Sequence, residues 1–99
     1  MRGNKAVLFA VLGAFCSTSA SATQIYSVCV GDGPNNACQV GNDDYNFDCA
    51  FAKANSTNTD AAAAQYVCQM NNSTVSVVTR NGVYGGGACG VIKLLVTCK

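Results

Sequence analysis

Apolar and polar positions change period several times along the 99 residues. The first pattern is a block. Arg2 and Lys5 precede an apolar run from Ala6 to Phe15, and Ser17-Thr18-Ser19-Ala20-Ser21-Ala22 follows it. Charged start, apolar core and small-residue end are the order of a secretory signal peptide. The core is too short to span a membrane, which takes about 20 apolar residues. The sequence therefore predicts a leader over 1–22, cleaved after Ala22 (after Ala20 as second choice), and one mature domain over 23–99.

Strand-like patterning begins next. Gln24 to Val30, QIYSVCV, is β-branched and aromatic and predicts a strand. Gly31-Asp32-Gly33-Pro34-Asn35-Asn36 supplies the residues that build turns. Tyr45, Phe47, Cys49 and Phe51 alternate with Asn46, Asp48 and Ala50, which predicts a strand with one apolar face. A helix competes there, because AFAKA contains good helix formers.

The period then shifts to that of a helix. Asp60 to Met70 is alanine-rich, and Ala63, Tyr66, Val67 and Met70 are expected to form its buried stripe. Thr57 with Asp60 fits a relaxed capping box, and Asn71-Asn72 suits the helix end. Cys68 lies beside the stripe, where its sulfur can reach a strand beneath. Ser73 to Arg80 reads as a strand, and Asn81-Gly82 as a hairpin turn from which Val83-Tyr84 returns. Gly85-Gly86-Gly87 interrupts the return. Val91 to Cys98, VIKLLVTC, is apolar on both faces apart from Lys93 and Thr97, as a central strand would be. The expected fold is α+β: one helix over about 60–70, packed on an antiparallel sheet of about four strands.

Seven cysteines alter this picture. Removing the leader discards Cys16 and leaves Cys29, Cys38, Cys49, Cys68, Cys89 and Cys98, an even set suited to three disulfides in an oxidising compartment. A domain this small gains only about 3–5 kcal/mol from its core alone, so such bonds carry much of the stability. The spacing does not choose among the possible pairings. No close cysteine pair and no histidine is present, which argues against a metal site and any cofactor.

Charge narrows the function classes. The whole chain carries +1, but Arg2 and Lys5 belong to the leader. The remainder sets Lys53, Arg80, Lys93 and Lys99 against Asp32, Asp43, Asp44, Asp48 and Asp60. No basic patch is available for phosphates or anionic membranes, so neither nucleic-acid binding nor membrane insertion is expected.

Candidate chemistry is sparse. Gly85-Gly86-Gly87-Ala88-Cys89-Gly90 lacks the lysine of a phosphate-binding loop and reads as a flexible turn or bulge. Asp43, Asp44 and Asp48 lack the spacing of a calcium loop and read as a solvated turn. Without histidine or a spare thiol, the usual catalytic groups are missing, and a non-enzymatic role is expected. Asn55, Asn71 and Asn72 open N-x-S/T sequons, candidate glycan sites on surface loops.

A leader, a short mature chain, six spaced cysteines and no catalytic constellation together resemble the small secreted cysteine-rich proteins of filamentous fungi, which include effector and killer-toxin-like proteins. The resemblance is one of type, without a signature motif. It implies an extracellular protein that binds a target of a host or competitor; the expected partner is a protein or surface, and the chain is expected to be a monomer. The loops offered for that are Gly31 to Asn36 and Asn81 to Gly87, with Asp32, Pro34, Asn35, Asn81, Tyr84 and Gly86 as contact candidates. A protease inhibitor, or a minimal hydrolase or ribonuclease, is the alternative.

Overall fold

A computed structural model describes residues 23–99; the expected leader lies outside the described residues. The chain runs β1 (Gln24–Gly31), a 3-10 turn (Pro34–Asn36), α1 (Ala37–Val40), β2 (Tyr45–Phe47), α2 (Cys49–Ala54), α3 (Thr59–Met70), β3 (Val75–Tyr84) and β4 (Val91–Cys98). One four-stranded sheet has the order β2-β1-β4-β3. The fold is small α+β with four strands, as expected, but the short helices α1 and α2 join the one expected helix, α3.

β4 is central because it pairs antiparallel on both sides, with β1 from Gly31↔Val91 to Gln24↔Cys98 and with β3 from Tyr84↔Val91 to Val75↔Cys98. β2 departs from the antiparallel expectation. It runs parallel to β1, with Val28 opposite Tyr45 and Val30 opposite Phe47. A parallel neighbour needs a crossover of about a dozen residues, and the 3-10 turn with α1 supplies it.

Val28 and Val30 of β1 and Leu94, Val96 and Cys98 of β4 face Ala63, Ala64, Val67 and Cys68 of α3 in the main core. Alanines at 63 and 64 let the helix lie close to the sheet. The expected helix stripe is therefore rotated. Ala63 and Val67 are buried, but Tyr66 and Met70 are 56% and 51% exposed, and Ala64 and Cys68 take their place. Packing against a sheet selects a broader face than simple spacing suggests. Tyr66 instead stands edge-on to Phe47 and Phe51 at 5.9 and 6.0 Å.

Three further expectations are corrected. The run 45–51 is not one strand: β2 stops at Phe47, and Asp48 caps α2 by accepting the Phe51 N–H at 3.0 Å. Phe47 and Phe51 still meet, with ring centroids 4.5 Å apart. Asn81-Gly82 is not a hairpin turn. Neither residue has positive φ; β3 runs through them with a register shift between Arg80 and Gly82, and the chain reverses in the 85–90 loop. The Thr57–Asp60 box also fails to form. Asn58 is the N-cap of α3, and Asp60 pairs with Arg80 of β3 at 2.9 Å.

All six cysteines among the described residues pair. Cys29 bonds Cys38, Cys49 bonds Cys89, and Cys68 bonds Cys98. The last stitches α3 to β4, as the position of Cys68 suggested.

Candidate functional site

β1 ends, β4 begins and β3 ends at the same pole of the sheet, since Gly31 and Tyr84 both lie opposite Val91. Two loops leave this pole: the segment opening at Asp32, and the 85–90 connection. They are joined by one side chain. Asp32 Oδ2 accepts the Ala88 N–H at 2.7 Å, and Oδ1 accepts those of Cys89 at 3.1 Å and Gly33 at 2.6 Å. Its own N–H donates to Gly90 O at 3.0 Å. The Ala88 and Cys89 amides hold the Asp32 carboxyl below the ordinary carboxylate range, against a smaller opposing effect of burial.

The second loop is built to receive that carboxylate. Gly90 N–H donates to Gly86 O at 2.9 Å, closing a turn that aims the intervening amides inward. Gly87 has φ 64°, and a Cβ there would lie 2.6 Å from Asp32 Oδ1, so only glycine permits the approach. Gly86 lies against Pro34, whose Cδ would be 3.1 Å from a Cβ at position 86. Two disulfides brace the assembly. Cys29–Cys38 anchors the first loop over a small second core with Val91 and Ala37. Cys49–Cys89 ties the second loop to the start of α2.

The outer surface of this pole presents Pro34, Asn35 and Asn36, then Tyr84 and the stretch from Gly85 to Cys89, all exposed. Asn35 and Asn36 both have left-handed backbone, φ 56° and 53°, a conformation asparagine tolerates better than most residues. Beside them is a shallow hollow of about 550 Å³ lined by Ala52, Lys53, Thr59, Ala88, Ile92 and the Cys49–Cys89 bridge.

The expected contact residues Asp32, Pro34, Asn35, Tyr84 and Gly86 are thus brought to one pole, and Asn81 is not. It lies within β3, at the register shift. Asp32 faces inward as the clamp rather than outward as a contact. Sequence reasoning singled out Asp32 as a turn residue, but its partners stand 56 and 57 positions away, where no local pattern reveals them.

The other aspartates are dispersed. Asp43 pairs with Lys93 at 2.7 Å and is nearly buried, so it is not part of a solvated turn. Asp44 accepts the Ser27 N–H at 2.8 Å, and Asp48 caps α2. Each of the three is thus engaged by a different partner, as ion pair, strand contact and helix cap. Among the described residues, Asp32, Cys49 and Cys89 bring ligand-type atoms within 4.8 Å. The two sulfurs are bonded to each other, however, and a disulfide is not the thiolate that binds metals.

The three sequon asparagines differ. Asn55 Nδ2 donates to Phe51 O at 2.9 Å, and Asn71 Nδ2 donates to Val67 O at 2.7 Å and Tyr45 Oη at 3.0 Å. Asn72 is exposed. No protein-family model matches the chain, and neither a curated protein nor a solved structure matches it significantly.

Proposed function

We propose that the chain is a secreted, small cysteine-rich binding protein of the effector or toxin-like kind, acting on a host or competitor target through the pole formed by residues 31–36 and 85–90. The Asp32 clamp carries this reading, because it converts two loops far apart in sequence into one braced surface. A surface ordered before binding loses less entropy when a partner docks. Tyr84 and Pro34 offer rigid apolar area at its rim, and Lys53 beside the hollow suits an acidic group on the partner. The three disulfides fit an oxidising, extracytoplasmic setting. With its aspartates occupied as clamp, ion pair and cap, the domain is read as a binder rather than a hydrolase.

Affinity capture from candidate host extract, with the oxidised mature domain as bait, tests the reading. A partner retained by the wild type and weakened at least about tenfold by Tyr84→Ser or Pro34→Ala supports it. Capture indifferent to both substitutions and to reduction places binding elsewhere. Inhibition of a protease by the same surface would favour the inhibitor alternative.

A further inference from the structure

We propose that Asn72 is an N-glycosylation site, and that it is the sequon asparagine whose amide nitrogen the fold leaves free. The proposal rests on the secretory reading above, in a eukaryotic secretory pathway. α3 ends at Met70 in a Schellman arrangement. Asn72 N–H donates to Gln69 O at 3.0 Å, and Ser73 N–H donates to Cys68 O at 2.8 Å. Asn72 occupies the left-handed position of that motif, with φ 55°. Its side chain is exposed and makes no hydrogen bond among the described residues.

The rival sites are engaged. Glycosylation replaces one hydrogen of Nδ2 with a sugar. At Asn71 this removes one of two donated bonds, and the sugar must enter between α3 and the Tyr45 ring. At Asn55 the half-buried amide is turned back onto the last turn of α2. The Asn72 nitrogen loses no hydrogen bond among the described residues. In the transfer, Nδ2 attacks the anomeric carbon of a lipid diphosphate-linked oligosaccharide. The carbon–oxygen bond to the diphosphate breaks, the lipid diphosphate departs with the electron pair, and Nδ2 releases one proton.

Position adds a consequence. Asn72 precedes β3, whose start pairs with the end of β4, whereas the Asp32 pole lies where β4 begins. Eight residues of β4 separate the two ends, roughly 23 Å of strand. The attachment point at Asn72 therefore lies at the opposite end of the sheet from the loop pole.

The full chain, expressed in a eukaryotic secretory host and recovered from the medium, provides the test. Intact mass before and after peptide:N-glycosidase, with peptide mapping, is expected to show one glycan, carried by residue 72. Asn72→Gln and Thr74→Ala should each abolish it, and Asn71→Gln should retain it. An exported product without glycan, or with its glycan on Asn55 or Asn71, overturns this proposal and leaves the secretory reading standing. Retention in the cell with the leader attached overturns the secretory reading, and this site with it.

Discussion

Asp32 and Ala88, 56 residues apart in sequence, are joined by a 2.7 Å hydrogen bond from the Ala88 amide to the Asp32 carboxylate. With the Cys89 amide beside it, this contact holds the 85–90 loop to the first loop at a point where side-chain packing is thin. Asp32→Ala removes the acceptor for all three amides. Hydrogen exchange at Ala88 and Cys89 is expected to accelerate by at least about tenfold, with the β1–β4 amides unchanged. Unchanged protection at both loop amides would show that the disulfide alone holds the loop.

The same clamp has a defined response to acid. Amide donors lower the carboxyl pKa of Asp32 in the folded domain. As pH falls, the unfolded chain takes up this proton first, so the stabilisation is complete above the ordinary carboxylate range and is lost as pH drops through the depressed value. Loop-amide protection should therefore persist at roughly pH 4, where free aspartates are half protonated, and fail only at lower pH. Following the Asp32 carboxyl and the Ala88 amide by NMR checks this. A midpoint at or above the ordinary range would contradict it.

What could be read from the sequence was mostly what is local. β4 matches the expected Val91–Cys98, and α3 begins one residue before the expected Asp60. Both are long, strongly patterned segments. The errors arose where one stretch satisfied two patterns. Phe51 fits the alternation begun by Tyr45 and Phe47, yet it also lies within CAFAKA, a run of good helix formers, and Asp48 in front of that run is the cap signal that decides between them. Asn81-Gly82 has hairpin chemistry, but β4 offers eight residues of partner, and β3 continues through the pair to use them. The loop pole is half legible: its residues carry turn chemistry, while their convergence depends on pairings that only the folded sheet creates.

Neighbouring leucines in β4 provide a sharp test of the layer arrangement. Leu94 is 1% exposed among α3 and β1 side chains, whereas Leu95 is 38% exposed on the opposite face. Leu94→Ala should destabilise by about 3–4 kcal/mol, the transfer cost plus a cavity. Leu95→Ala should change stability by no more than about 0.5 kcal/mol. Urea denaturation of the two oxidised variants measures both, and equal losses would mean that the second face of the sheet is covered as well.

Exposure separates the three disulfides in the same way. Cys29, Cys38, Cys68 and Cys98 are buried, but Cys89 lies open in the 85–90 loop. Reduction proceeds by thiolate attack on sulfur and needs access to it. Stepwise reduction with glutathione, trapped by alkylation and mapped by mass spectrometry, should label Cys49 and Cys89 first. The cost of deletion should follow a different order. Cys68–Cys98 closes a separation of 30 residues and Cys49–Cys89 one of 40, so loop entropy values each at about 4 kcal/mol. Only the first also leaves a hole between α3 and β4. Cys68→Ala with Cys98→Ala is thus expected to cost about 5 kcal/mol, enough to unfold a domain of this size at 37 °C. Cys49→Ala with Cys89→Ala should cost less and leave a folded sheet with a released loop. If the buried bridges were labelled first, or if the exposed pair proved the costlier deletion, the placement of Cys89 at an open pole would be wrong.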